Sequence, residues 1–139
     1  MAHLLQYQVL EERLAVCQLV PDARIPAGAL ESKFFCLVRT GTELSLVCTE
    51  DACPENHVSR AERGWVALKL KGPFPFSMTG VLASFVQPLA EARVGIFAVS
   101  TFDTDYVLVK RDHLQRAVSA LRAAGHQQVG KADNSRVKR

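Results

Sequence analysis

The residues best suited to chemistry lie in two short polar clusters in the second half of the chain. Residues 99–106 read Val-Ser-Thr-Phe-Asp-Thr-Asp-Tyr and concentrate hydroxyls, two carboxylates and an aromatic ring between two apolar runs. The other cluster, Ser77-Met78-Thr79-Gly80, is predicted to form the first turn of a helix that continues into the apolar segment after it. Turns held by rigid strands often carry binding groups, because their backbone is exposed while the scaffold fixes its position. The two clusters predict a small-ligand site.

A catalytic interpretation of the same residues is less well supported. Asp103 and Asp105 are two positions apart, which on an extended chain places both carboxylates on one side, as in an acid and base pair. No nucleophile with an orienting base and no glycine-rich phosphate loop accompanies them. The four histidines are predicted to lie outside the site: His3, His57, His113 and His126. We therefore predict a binding protein and not an enzyme.

The cysteines do not have the spacing of a metal site. Cys48, Cys53 and His57 are the nearest approach to one, but no second close pair of the structural zinc type accompanies them. Cys17, Cys36 and Cys48 fall in strand-like runs, where a free thiol behaves as a small buried apolar group. We predict no disulfide, no metal and no other cofactor, which fits a cytoplasmic protein.

Composition and charge exclude several classes of partner. The 139 residues are 48% apolar and 22% charged, as in globular domains, and no run approaches the roughly 18 apolar residues of a membrane-spanning helix. Four basic residues and one acidic residue in the last nine positions account for the whole net charge of +3. The body of the chain is thus neutral, which argues against nucleic acid or a membrane as partner, and residues 131–139 are predicted to form a disordered basic tail.

The elements that must position the polar clusters follow from the apolar periodicity after Trp65. Alternation at Val66, Leu68 and Leu70 predicts a strand. A helix that Pro88 bends or ends early is predicted by four apolar residues with the spacing of one helical face: Leu82, Phe85, Val86 and Leu89. Two β-branched runs around the polar turn predict a hairpin. A second helix begins at a capping pair, Asp112 with Gln115, and stops at Gly125, and a last strand follows over 126–130. The predicted order is βαββαβ over residues 65–130, a ferredoxin-like arrangement.

The first half repeats this pattern in shortened form. A strand over Arg13–Leu19 precedes a proline-bearing loop and a short helix at Ala27–Ser32. The turn Arg39–Leu44 is the counterpart of the turn Ser100–Tyr106, and it keeps a threonine and one acid but has glycine in place of the aromatic. We predict an internal duplication with a degenerate first copy over 1–63, including an extra N-terminal strand at Leu4–Leu10, and a complete copy over 64–130.

Three runs of the chain resemble a known family: residues 64–69 (GWVALK), 76–82 (FSMTGVL) and 96–109 (IFAVSTFDTDYVLV). They are similar to the small bacterial tandem ACT-domain proteins and to the ACT modules of aspartokinase and of the CASTOR arginine sensors. The resemblance implies an α+β fold of two tandem ACT repeats, with antiparallel sheets and helices on one face. No catalytic domain accompanies these repeats within the sequence, so control of a fused enzyme is not expected.

The resemblance also implies a function and a site. A regulatory ACT module binds a small amino acid between two ACT units, so a homodimer and a regulated partner protein are expected. The residues that correspond to the family's ligand site are Ser77, Met78, Thr79 and Gly80 on one side and Thr101, Phe102, Asp103, Thr104 and Asp105 on the other.

Each of these residues also has a structural interpretation. Ser77 or Thr79 suits a plain helix cap, and Asp103 and Thr104 are common turn formers. A protein-interaction module that keeps the fold without a ligand is the alternative function. Asp105 is the residue to test first, because its carboxylate precedes an apolar strand and needs a cationic or donor partner.

Overall fold

A computed structural model describes residues 3–56 and 58–130, so the predicted basic tail and His57 lie outside the described residues. The elements in chain order are β1 (Gln6–Val9), β2 (Leu14–Leu19), α1 (Ala27–Leu30), β3 (Phe35–Arg39), β4 (Leu44–Thr49), β5 (Val58–Leu70), α2 (Val81–Glu91), β6 (Ile96–Ser100), β7 (Asp105–Lys110), α3 (Leu114–Ala123) and β8 (Gln127–Val129). Two short 3₁₀ turns, Glu50–Ala52 and Arg111–His113, follow β4 and β7. The chain divides into two compact units.

The first of these, the Glu11–Val66 unit, contains strands in the order β3-β4-β2-β5, with β2 antiparallel to both of its neighbours. This is the ferredoxin-like strand order, with the short helix α1 between the first two strands and a 3₁₀ turn where the second helix would stand. Alternate residues of β2 and β4 form its apolar core: Ala15, Cys17, Leu19, Leu44, Leu46 and Cys48.

Strand β5 carries a bulge inside this unit. Its register against β2 shifts between the pairs Leu14 with Trp65 and Val16 with Glu62. Gly64 lies in that interval with a φ of +80°, a conformation that glycine adopts without a steric penalty. The Gly64 N–H, freed from the ladder, donates to the Glu50 carboxylate at 2.7 Å.

The second unit, here called the α2–α3 unit, comprises the residues up to Leu10 together with those from Ala67 onward. Its strands have the order β6-β7-β5-β1-β8. Tyr7 of β1 meets Phe85 of α2 edge to face, with ring centroids 5.3 Å apart, so α2 packs on the sheet face that carries Tyr7. Both rings are fully buried, and truncating a buried phenylalanine to alanine costs about 3–5 kcal/mol of stability.

Strand β1 differs from its sequence prediction. The N-terminal strand was expected to extend the first copy, but it pairs antiparallel with β5 through Tyr7 and Leu70 and parallel with β8 through Tyr7 and Gln128. It therefore lies between β5 and β8 and belongs to the α2–α3 unit. The sheet is consequently mixed and not purely antiparallel, which corrects the expected fold in this respect.

Helix α2 begins later than the polar cluster suggested. Its N-cap is Gly80 at a φ of +84°, and no side chain caps it, so Ser77 and Thr79 are not helix caps. Pro88 does not end the helix, which continues to Glu91. The missing Pro88 N–H would have bonded the Ser84 carbonyl, and this oxygen instead lies 3.0 Å from Nε2 of His126.

The two β-hairpin turns share one hydrogen-bond pattern. In the β6–β7 turn the Thr101 N–H donates to the Thr104 carbonyl at 2.8 Å, and the Thr104 N–H donates back to the Thr101 hydroxyl at 3.3 Å. In the β3–β4 turn Thr40 and Glu43 make the same pair of bonds at 2.9 and 3.0 Å. A threonine at the first position thus holds both turns.

No helix within the described residues has the length and apolar character required to cross a membrane.

Candidate functional site

A cavity of about 180 Å³ lies between the loop that precedes α2 and the β6–β7 turn, and we call it the β6–β7 cavity. Six of the nine predicted ligand-binding residues line it: Met78, Thr101, Phe102, Asp103, Thr104 and Asp105. Its other lining residues were not predicted: Phe74, Pro75, Phe76, Val81 and Ser100. The signal that could have identified them is the pair of phenylalanines in the proline-rich run before the helix.

The other three predicted residues lie outside this cavity. Ser77, Thr79 and Gly80 form the approach to α2, and the imidazole Nε2 of His3 lies 2.9 Å from the Thr79 carbonyl oxygen. A Cβ added to Gly80 would stand 3.7 Å from the same imidazole. His3 was predicted to lie outside the site; it does not line the β6–β7 cavity, but it contacts Thr79 and Gly80 because pairing of β1 with β5 brings this end of the chain to the start of α2.

The two threonine side chains of the β6–β7 turn hydrogen-bond backbone groups. The Thr104 hydroxyl is buried and donates to the Leu70 carbonyl at 2.8 Å, which ties the turn to the end of β5. The Thr101 hydroxyl bonds the Thr104 backbone. Their side chains therefore position the turn, and a ligand would meet mainly the neighbouring groups.

The two carboxylates differ in their surroundings. Asp105 accepts a hydrogen bond from the Ser100 hydroxyl, directly across the β6–β7 ladder. The donor that its position at the start of an apolar strand required is thus supplied by Ser100. Asp103 is exposed, and its carboxylate has no partner among the described residues. The described lining contains no basic side chain, so the cavity is an electronegative site with one uncompensated carboxylate.

Two aromatic rings form the rim of the cavity. Phe76 and Phe102 meet edge to face with their centroids 5.0 Å apart, yet 76% and 80% of their surfaces are exposed. Met78 beside them is also exposed. Large apolar side chains grouped on a surface mark binding sites more often than isolated ones do.

The N-terminus of α2 has a polarity opposite to that of the carboxylates. Val81, the first residue of α2, lines the cavity. The first N–H groups of a helix have no partner within the helix and lie at the positive end of its dipole.

The cysteines form a separate cluster in the Glu11–Val66 unit. The Sγ atoms of Cys17 and Cys53 are 3.1 Å apart, and both thiols are reduced. A hydrogen bond from Cys17 lowers the pKa of Cys48 and raises that of Cys17, while burial raises the pKa of Cys53 to about 11. Within the described ranges no group of three or more His, Cys, Asp or Glu side chains is placed to hold a metal ion.

Known proteins resemble this chain over most of its length. Residues 60–123 match the family model of the ACT domain, and residues 12–56 match a second model that describes an N-terminal domain. The solved structure of protein Atu0741 from Agobacterium tumefaciens is 36% identical, with a TM-score of 0.84, and the match covers 93% of this chain and 95% of that one. The regulatory subunit of aspartate kinase from Thermus thermophilus shares the fold at 13% identity, with a TM-score of 0.58 over 81% of this chain and 93% of that one.

Curated relatives match a shorter segment. The human protein CASTOR3P is 35% identical over 92 residues, or 58% of this chain and 56% of that protein. The bovine cytosolic arginine sensor for mTORC1 subunit 1 is 29% identical over 98 residues, or 64% of this chain and 30% of the sensor. The chain thus spans about half or less of these relatives. With an ACT-domain match over the residues of β5 to α3, and a relative of the same length at 36% identity, this chain belongs to the ACT-domain family.

Proposed function

We propose that this protein is a non-catalytic regulatory module that binds a small amino acid in the β6–β7 cavity. The observation that carries the proposal is the uncompensated carboxylate of Asp103, which lines the same cavity as Val81, the first residue of α2. The ammonium of an amino acid pairs with a carboxylate, and its own carboxylate is stabilised by the free N–H groups of a helix N-terminus.

The charge of the cavity favours an amino acid with a basic side chain. Asp103 and Asp105 are both in the lining, and the described lining residues include no cation to offset them. One carboxylate can therefore take the ammonium and the other a side-chain guanidinium or ammonium. The name of the bovine relative, an arginine sensor, agrees with this preference, and its description as cytosolic supports the same location for this chain.

The rim of the cavity favours a site shared between two copies. The volume of the β6–β7 cavity, about 180 Å³, is below the roughly 300–1,000 Å³ usual for complete ligand pockets. Phe76 and Phe102 flank it with most of their surfaces exposed. A second copy packed against these rings would cover them and enclose the ligand, which gives the twofold homodimer expected of an interfacial ACT site.

The repeated hairpin turn supports a tandem organisation. Thr40 with Glu43 and Thr101 with Thr104 make the same hydrogen bonds, and a 3₁₀ turn follows the next strand in both units. We regard the two units as copies of one ACT-like ancestor. Asp103 and Phe102 occur only in the second copy, so we assign one ligand site to each chain.

A calorimetric and thermal-shift screen of the twenty amino acids tests the proposal. We expect arginine or lysine to raise the melting temperature, and Asp103→Asn to weaken binding about tenfold to a hundredfold, the worth of one charge-assisted hydrogen bond. Asp112→Asn, an exposed acid in the 3₁₀ turn after β7, is the matched control. Absence of any shift at millimolar concentration would reject amino-acid binding here.

The alternative function is a dimerisation or protein-interaction module without a ligand, which the exposed pair Phe76 and Phe102 favours. In that case the Phe102→Ser change would abolish self-association or partner capture, while none of the twenty amino acids would alter the melting temperature.

A further inference from the structure

A second cavity, of about 300 Å³, lies on the other side of the Asp103–Thr104 turn, at the end of β5. Lys69 and Lys71 line it, and residues two apart on an extended strand direct their side chains to the same side. Gln8 also lines it and lies directly opposite Lys69 in the β1–β5 register. We call it the Lys69–Lys71 cavity.

The charges in this cavity are uncompensated. Within the part of the chain that the structure describes, Lys69 and Lys71 make no ion pair. The Lys69 ammonium instead lies 5.9 Å from the ring centroid of Tyr106, a cation–π contact that leaves its hydrogen-bond donors available. Asp103 reaches the edge of this cavity, and its carboxylate is also unpaired among the described residues. The cavity thus holds two cations, one anion and the neutral amide of Gln8.

The wall that carries Asp103 is held rigidly. Its carbonyl accepts the Phe74 N–H at 2.8 Å, and the neighbouring Thr104 hydroxyl bonds the Leu70 carbonyl at the same distance. A Cβ added to Gly72 would stand 2.9 Å from the Asp103 carbonyl oxygen, so this close approach requires glycine. A backbone wall fixed before binding does not have to be ordered by the ligand, which strengthens the binding of the ligand.

We propose that the Lys69–Lys71 cavity binds an acidic amino acid. Two lysine ammoniums and one amide complement two carboxylates, and the Asp103 carboxylate complements the single ammonium of such a ligand. A dicarboxylate without an ammonium group would leave Asp103 facing a like charge. The lysines of this site do not line the β6–β7 cavity, but the two cavities share the Asp103–Thr104 turn, and each proposed ligand would pair its ammonium with the same Asp103 carboxylate.

Titration calorimetry of the full chain with L-glutamate and L-aspartate tests the inference. We expect glutarate, which has no ammonium group, and L-glutamine, which has one carboxylate fewer, each to bind at least about tenfold more weakly than L-glutamate. Lys69→Met and Lys71→Met should each weaken L-glutamate binding about tenfold or more, whereas Lys33→Met, a lysine of the other unit, should not.

The same variants separate this site from the proposed function. Lys69→Met should leave binding of arginine or lysine unchanged, because Lys69 does not line the β6–β7 cavity. No heat with either acidic amino acid at millimolar concentration would overturn the inference, as would binding that both lysine variants retain. Competition by inorganic phosphate as strong as that by L-glutamate would reduce the cavity to a general anion site and also overturn it.

Discussion

His126 hydrogen-bonds two backbone groups of the α2–α3 unit, the Leu5 N–H and the Ser84 carbonyl of α2. Its ring is 5% exposed and packs on Phe85 at 5.5 Å. The Leu5 N–H donates to Nδ1 at 3.1 Å, so the hydrogen of the neutral ring is on Nε2, which donates to the Ser84 carbonyl at 3.0 Å. Ser84 is the residue whose carbonyl Pro88 cannot bond.

Replacing His126 with phenylalanine keeps an aromatic ring at this position and removes both hydrogen bonds. A buried polar group without a partner costs about 1–3 kcal/mol, so the loss at the Leu5 N–H and the Ser84 carbonyl amounts to about 2–6 kcal/mol. The Ser84 carbonyl is only partly buried, which places the expected value in the lower half of that range. His113→Phe, in the 3₁₀ turn after β7, is the control and should change stability little.

A double-mutant cycle with Pro88→Ala isolates the link between the proline and the histidine. An alanine at this position has an N–H that can bond the Ser84 carbonyl, so the His126→Phe change should cost about 1 kcal/mol less in the Pro88→Ala background. Urea unfolding followed by circular dichroism measures the free energies, and hydrogen exchange at the Leu5 amide reports its bond directly. Additive effects within about 0.3–0.5 kcal/mol, or unchanged protection of the Leu5 amide, would refute this account of His126.

Three further changes have defined outcomes. Gly80→Ala should destabilise the protein by about 1 kcal/mol because Gly80 has a φ of +84°, whereas Gly28→Ala, where an added Cβ meets open space, should not; thermal unfolding compares the two. The Cys53 thiol has its pKa raised from 9.0 to about 11 by burial and by its bond to Cys17, so the folded state holds this proton more tightly than the unfolded state does. The contribution of this thiol to stability should therefore be constant below pH 9 and be lost between pH 9 and 11, and urea titrations should find a smaller fall over that interval in Cys53→Ala. Phe102→Ser should convert the expected dimer to a monomer in sedimentation, and Leu30→Ser, exposed in the other unit, should leave the dimer intact.

Local periodicity predicts the elements around the polar turn well. The alternation that ends at Leu70, the helical spacing around Phe85 and the two runs of the hairpin all correspond to observed elements. These patterns record burial against near neighbours, which the sequence carries directly. The strand β1 is different, because its four residues mix apolar and polar types and its partners lie some 60 and 120 positions away along the chain. Nothing local in Gln6–Val9 indicates those partners.

The candidate site was predictable in its residue types and less so in its geometry. Six of the nine proposed positions line one cavity, but Ser77, Thr79 and Gly80 do not; they precede α2, which begins at Val81 without a side-chain cap. The contact between Phe76 and Phe102 joins a loop to a turn about 25 positions away, and loop conformation is set by tertiary contacts that periodicity does not encode. The hydrogen bond from His126 to the Ser84 carbonyl, which Pro88 cannot bond, could not be predicted for the same reason.

Comparison of the two hairpin turns shows which side chains the turn conformation requires and which it does not. Thr40 and Thr101 supply the side-chain bonds in the shared pattern, and the rest comes from the backbone. Gly41 therefore suffices in the β3–β4 turn, where the β6–β7 turn has Phe102 with 80% of its surface in contact with solvent. An exposed aromatic ring and the carboxylate of Asp103 are not required by the turn, because the same hydrogen bonds form without them in the Glu11–Val66 unit. On the proposed function these groups meet a ligand or a second chain, so substitutions at Phe102 and Asp103 should alter association or binding while leaving the free energy of unfolding nearly unchanged.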